Sequence, residues 1–236
     1  MLDDNHSFYR GTNVTLSAGS GCDTPSPNFQ FEQLPETIAY VQVNSASSGD
    51  RDFAEAVHRT IAEQNTREVQ GWVVDLSRNL GGSMYPMLAG VSPLLDEGVL
   101  GYFIDPDDER TPWSQRDGTV FLDGSPVMRM EGDFELLNPE AKIAVVIGGT
   151  TASSGEATLI SFLGNERVKT FGQPTCGLST ANRGYNLSDG GQLLLTVAVM
   201  ADRDQNPFGG VIPPDVEADN TAELYQGIRN WLVHQL

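Results

Sequence analysis

Positive charge is scarce in this chain of 236 residues: Lys and Arg total 14 against 32 Asp and Glu, a formal net charge of −18 with the histidines neutral. Binding to a phosphate backbone draws on clustered Lys and Arg that release counterions, so a nucleic-acid partner is disfavoured. An anionic membrane surface is disfavoured for the same reason. Long hydrophobic runs are missing too, and none approaches the ~18 residues that cross a bilayer. The opening Met1-Leu2-Asp3-Asp4-Asn5-His6 lacks the basic and then apolar regions of a signal peptide, so the chain is expected to be cytoplasmic or to stand without its leader. Cysteine is limited to Cys22 and Cys176, too few for a disulfide framework or a metal site of their own. They are expected to be ordinary thiols that pair only in an oxidising compartment. The carboxylates are scattered without ligand spacing, so no metal and no cofactor is expected. No internal repeat or low-complexity tail is present.

What is there is an alternation of strand and helix signals. Residues 1–30 read as an irregular segment, rich in Gly, Ser, Thr and Pro over residues 11–30. Strands are predicted over Thr37–Val43, Gly71–Leu76, Val99–Ile104, Lys142–Ile147, Val168–Phe171 and Gln192–Met200. Amphipathic or buried helices are predicted over Asp50–Val69, after Gly82, over Ser154–Leu163 and over Thr221–Leu236. Residues 105–130 form a polar insertion with hairpin turns expected at Asp117-Gly118 and Asp123-Gly124. The short apolar runs GWVVDL and KIAVVI are those of strands buried on both faces. The expectation is a single α/β domain over residues 1–236 with a largely parallel sheet flanked by helices.

Ligands of open α/β sheets bind beyond the carboxyl ends of the strands, where two unusual turns occur. One is Asp75-Leu76-Ser77-Arg78-Asn79-Leu80-Gly81-Gly82; the other is Gly148-Gly149-Thr150-Thr151-Ala152-Ser153-Ser154-Gly155-Glu156. Paired glycines let backbone N–H groups face an anion or a developing oxyanion. A serine at a helix start is favourably placed as a nucleophile, because the macrodipole stabilises negative charge there. Taken singly, each turn is also compatible with an ordinary strand-to-helix connection capped by serine. Asp75 and Asn79 are expected to hold the glycine turn through side-chain hydrogen bonds.

Together the two turns resemble the tail-specific (C-terminal processing) serine peptidases. Asp-Leu-x-x-Asn-x-Gly-Gly is followed by an apolar strand and then Thr-Ala-Ser-x-x-Glu at a helix start. Gly172-Gln173-Pro174-Thr175-Cys176-Gly177 resembles a third element of the family. Gly210-Val211-Ile212-Pro213-Pro214-Asp215 resembles its Gly-x-x-Pro-Asp segment with one extra proline. The resemblance spans roughly Ile38 to Glu217 and implies a crotonase/ClpP-like fold. It implies Ser153 as the nucleophile, with Ser154 as the rival, and an oxyanion hole from the backbone N–H of Ser154 and one of Gly81 or Gly82.

The processing branch places a lysine base directly after the third element; here that residue is Leu178, which cannot take a proton. Neither Lys142 nor Lys169 is suitably placed. The tricorn-core branch, which includes the repeats of interphotoreceptor retinoid-binding protein, is more similar. Its histidine segment resembles Leu2-Asp3-Asp4-Asn5-His6-Ser7-Phe8, which implies His6 as general base. A histidine's ordinary pKa suits that role near neutrality. By the same resemblance Asp215 and Glu217 are candidates for the acidic group that orients His6. His58 is expected at the surface and His234 at a solvated helix end.

The implied function is a serine-type peptidase acting on peptide or protein substrates. The alternatives are a non-catalytic ligand-binding module and a crotonase-like acyl-transfer enzyme on the same fold. The processing enzymes carry a PDZ domain for which 236 residues leave no space, and they are commonly exported. An extracellular or cell-envelope location is therefore expected over the cytoplasmic alternative.

Overall fold

The computed structural model describes residues 6–11, 22, 34–132 and 134–233. Two sheets share the core. Five parallel strands, β2 (Ile38–Gln42), β3 (Gly71–Asp75), β8 (Lys142–Ile147), β9 (Val168–Gly172) and β12 (Val216–Glu217), lie in the order β12-β9-β8-β3-β2. The second sheet is antiparallel and has seven strands. It comprises β1 (Phe8–Arg10), β4 (Gly98–Ile104), β5 (Arg110–Arg116), β6 (Thr119–Leu122), β7 (Ser125–Arg129), β10 (Thr180–Asn186) and β11 (Gln192–Asp202). The fold is mixed α/β, but the largely parallel sheet expected from sequence describes only the smaller of the two. The reason is connectivity. Asp117-Gly118 and Asp123-Gly124 have positive φ at both positions, and two-residue turns of that kind can join only antiparallel strands. Residues 105–130 thus hold β5 to β7.

Helices α1 (Arg51–Gln64), α2 (Met84–Gly90), α3 (Ser154–Phe162) and α4 (Thr221–Val233) complete the layers. The pleat of the parallel sheet sends alternate residues to opposite faces. Trp72 and Val74 of β3 and Ile143, Val145 and Ile147 of β8 face the larger core, with α1 to α3 and the antiparallel sheet. Val73, Ala144 and Val146 face the smaller one under α4, against Leu224, Ile228 and Leu232. Every residue of β3 is buried, which is why its sequence is a continuous apolar run. Helix α3 is buried from Gly155 to Phe162, and fully buried Trp113 of β5 donates its indole N–H to Ser161 Oγ (2.9 Å) on that helix.

Three sequence expectations are corrected. His58 is buried, with its ring 4.8 Å from that of Phe134, because the segment after β7 covers that side of α1. Cys22 and Cys176 are not separate thiols but form a disulfide, with Cα atoms 5.1 Å apart across a sequence separation of 154. Part of the irregular N-terminal segment, Phe8–Arg10, pairs with β11. His234 falls outside the described residues. No helix among the described residues is long and apolar enough to cross a membrane, and no cluster of potential metal ligands occurs among them.

Candidate active site

Adjacent parallel strands β3 and β8 end side by side, which brings the two glycine-bearing turns together. Thr150 Oγ1 donates to the Ser77 carbonyl (2.6 Å) and Thr151 Oγ1 to the Leu76 carbonyl (2.8 Å). Asn79 is fully buried and organises the first turn. Its Nδ2 donates to the Val43 and Asn44 carbonyls, its Oδ1 accepts the Gly81 N–H (2.9 Å), and its own carbonyl accepts the Ala152 N–H (2.9 Å). Asp75 Oδ1 accepts the Ser77 N–H and Oδ2 accepts the Tyr40 hydroxyl (2.8 Å). Burial and then the Asp75 carboxylate push the Tyr40 hydroxyl above its ordinary range. Asp75 and Asn79 therefore hold the turn, as their sequence context indicates.

Ser153 stands where β8 turns into α3, with φ 52° and ψ −116°. A residue with a Cβ adopts such a conformation only where its surroundings impose it, at a cost of roughly 1–3 kcal/mol. Three contacts impose it here. The Ser153 N–H donates to Glu156 Oε2 (2.8 Å), and the Ser154 hydroxyl donates to the Gly82 carbonyl (2.8 Å). Gly81, at φ 94°, packs so closely that an added Cβ would lie 2.8 Å from the Ala152 carbonyl oxygen and 3.1 Å from the Ser154 nitrogen. At Gly82, at φ 113°, an added Cβ would collide with the Ala46 carbonyl oxygen. Glycine is required at both positions.

Glu156 is the hub of the site. It is fully buried; Oε2 takes the Ser153 N–H, while Oε1 accepts the Thr175 hydroxyl (2.6 Å) and the Gly177 N–H (3.0 Å). Burial pushes its carboxyl up to about 7, against hydrogen bonds that favour the ionised form. The third motif is bound to the second here, and the Cys176 N–H donates to the Thr151 carbonyl (2.9 Å). The fourth motif closes over the third: Ile212 N–H donates to Thr175 Oγ1 (2.9 Å), and Ser179 Oγ donates to the Gly210 carbonyl (2.7 Å). All four motifs therefore converge on one end of the parallel sheet.

His6 precedes β1 and is held on β10. Its Nδ1 lies 2.9 Å from Thr180 Oγ1, and its carbonyl accepts Asn182 Nδ2 (2.9 Å). Thr180 is three residues beyond Gly177, so the histidine is fixed to the strand that leaves the Glu156 hub. Asp215 Oδ2 accepts both the N–H (2.8 Å) and hydroxyl (2.9 Å) of Thr170, while Glu217 is exposed on β12. Sequence reasoning missed Thr180 and Asn182, which no motif marks, and the hub role of Glu156. The fixed spacing of three between Ser153 and Glu156 is the one signal that could have shown the latter.

Residues 37–218 match peptidase family S41. The chain is 33% identical over 195 residues to the nisin-resistance protein of Lactococcus lactis subsp. lactis, covering 82% of this chain and 59% of that one. It is 25% identical over 180 residues to carboxyl-terminal-processing peptidase 2, chloroplastic, of Arabidopsis thaliana, covering 76% of this chain and 29% of that one. Among solved structures, a lipoprotein from Streptococcus agalactiae is similar with a TM-score of 0.72 at 26% identity, over 92% of this chain and 72% of that one. The photosystem II D1 C-terminal processing protease shares the fold with a TM-score of 0.55 at 22% identity, over 82% of this chain and 47% of that one. With a family match running from the residue before β2 to the residue after β12, through all four motifs of the site, the chain belongs to peptidase family S41.

Proposed function

We propose that this chain is the catalytic core of a serine-type peptidase, a single domain of crotonase/ClpP-like fold over residues 1–236, in which Ser153 is the nucleophile and His6 the general base. The observation that carries this reading is the backbone of Ser153. A serine held at φ 52° at the start of a buried helix, with glycine packed against it, is strain of the kind concentrated at reacting groups.

In the reaction, Ser153 Oγ bonds to the scissile carbonyl carbon and its proton passes to His6 Nε2. The negative oxygen of the tetrahedral intermediate accepts the N–H groups of Ser154 and Gly82. Gly82 is preferred to Gly81 because the Gly81 N–H is already donated to Asn79 Oδ1. The carbon–nitrogen bond then breaks and His6 returns the proton to the leaving amine. Water attacks the acyl-enzyme by the same route, His6 taking its proton and passing it to Ser153 Oγ as the acid leaves. Thr180 at Nδ1 orients the ring, in the place where Asp215 or Glu217 would act in a carboxylate relay.

The relative named for carboxyl-terminal processing supports a peptide or protein substrate. The net charge of −18 favours neutral or basic ones. The Cys22–Cys176 disulfide and the lipoprotein from Streptococcus agalactiae support an extracellular or cell-envelope location. The test is cleavage of a diverse peptide mixture read by mass spectrometry: new termini are expected with the wild type and absent with Ser153→Ala. Equal cleavage by both would overturn the assignment.

A further inference from the structure

We propose that the Cys22–Cys176 disulfide is a positioning device for catalysis: it ties the N-terminal arm bearing His6 to the turn that shapes Ser153. The proposal rests on the reading of Ser153 and His6 given above. Cys176 lies between Thr175 and Gly177, both donors to Glu156, and its own N–H donates to Thr151, two residues before the nucleophile. One sulfur is thereby anchored on the catalytic turn. The other belongs to Cys22, on the segment that follows β1.

Among the described residues, the arm's other attachments are polar and partly exposed. Strand β1 pairs with β11 through three residues, two of them, Tyr9 and Arg10, exposed. Beyond this the arm has the hydrogen bonds of His6 with Thr180 and Asn182, of Ser7 Oγ with the Thr196 N–H, and an exposed bond from Tyr9 to Asp189. With the disulfide open, an undocked arm would be joined to the body through the 27 residues between Arg10 and Ile38. With it closed, the tether is the 11 residues between Arg10 and Cys22. Closing the bond thus shortens the covalent path that holds β1 to the rest of the fold, which favours docking of His6. Opening it also removes the covalent tie to the Glu156 turn.

The variants are Cys22→Ser and the pair Cys22→Ser/Cys176→Ser, alongside wild type treated with dithiothreitol. Two electrons and two protons from the dithiol give two cysteine thiols and leave the reagent as its cyclic disulfide. Hydrogen exchange should show a loss of amide protection at residues 8–10, with α3 unchanged. The rate of fluorophosphonate labelling of Ser153 should fall on opening the bond. In His6→Ala the same opening should leave the already slow labelling unchanged, because the tether acts through the base. Dithiothreitol should not alter the paired variant. Full labelling rate and unchanged β1 protection in Cys22→Ser would overturn the proposal while leaving the base assignment intact. An equal fall in both His6 backgrounds would make the bond merely structural and overturn it too. Full labelling by His6→Ala with its disulfide closed would overturn both the tether and the base.

Discussion

Replacing Glu156 with Gln should remove a defined part of the pH dependence of stability. The carboxyl is fully buried and pushed from its ordinary 4.5 up to about 7. An acid whose folded-state pKa is raised favours the folded state most when protonated, below its unfolded value, and loses that contribution as pH rises through the folded value. The difference amounts to about 3 kcal/mol, most of which is lost between pH 5 and 8. The chain's large acid excess imposes a slope of its own, so the measurement is the difference between wild type and Glu156→Gln in urea unfolding at each pH. Wild type should lose about 2 to 3 kcal/mol relative to the variant from pH 5 to pH 8. The variant pays elsewhere, because the glutamine amide nitrogen cannot accept from both sides of the hub as the two carboxylate oxygens do, leaving a buried N–H unmet. Parallel curves for the two proteins would show that Glu156 titrates alike in the folded and unfolded chains, against this expectation.

Four further outcomes follow from the same geometry. Ser153→Ala should lower kcat/KM by at least ~10⁴-fold while Ser154→Ala costs less than about tenfold, since Ser154 contributes its backbone N–H; steady-state kinetics decide this. Gly82→Ala should destabilise the fold by roughly 1–3 kcal/mol, by driving a Cβ towards the Ala46 carbonyl, and should lower kcat at least ~10²-fold, as read by thermal unfolding and initial rates. Thr180→Val should cost about 1 kcal/mol in transition-state stabilisation, roughly fivefold in kcat/KM, with Thr180→Ser close to wild type. Trp113→Ala should cost about 3–5 kcal/mol in urea unfolding, because a fully buried indole and its bond to Ser161 are lost together.

The parallel half of the fold is legible because its signals are local. β3 and β8 are nearly continuous apolar runs, and the turn that follows β3 carries Gly81 and Gly82 at positive φ, where a side chain would be strained. The turns after β3 and β8 carry Ser153, Gly81 and Gly82, the residues that the sequence offers as candidates. The antiparallel half is less legible because its pairing is set at long range. Thr180–Asn186 contains Asn, Gly and Asn and becomes a strand through its ladder on β11, while the three residues of β1 pair with residues more than 180 positions away. The disulfide was hidden for a related reason. Nothing near Cys22 or Cys176 in sequence shows that a fold spanning 154 residues brings their Cα atoms to 5.1 Å. The burial of His58 is not legible because helical periodicity gives the position of a residue on its own helix, not what folds over it. Beside the carboxylates Asp215 and Glu217 that the sequence offers to His6, the Thr180 hydroxyl lies at its Nδ1, and a threonine opening a polar strand carries no motif.

Whether Ser153 is a nucleophile served by His6 is decided by reacting the protein with a fluorophosphonate at neutral pH and mapping the adduct by peptide mass spectrometry. One phosphonylated residue, Ser153, is expected, absent in Ser153→Ala and formed at least ~10²-fold more slowly in His6→Ala. An adduct on another residue, labelling that persists in Ser153→Ala, or no adduct on the wild type would contradict that assignment.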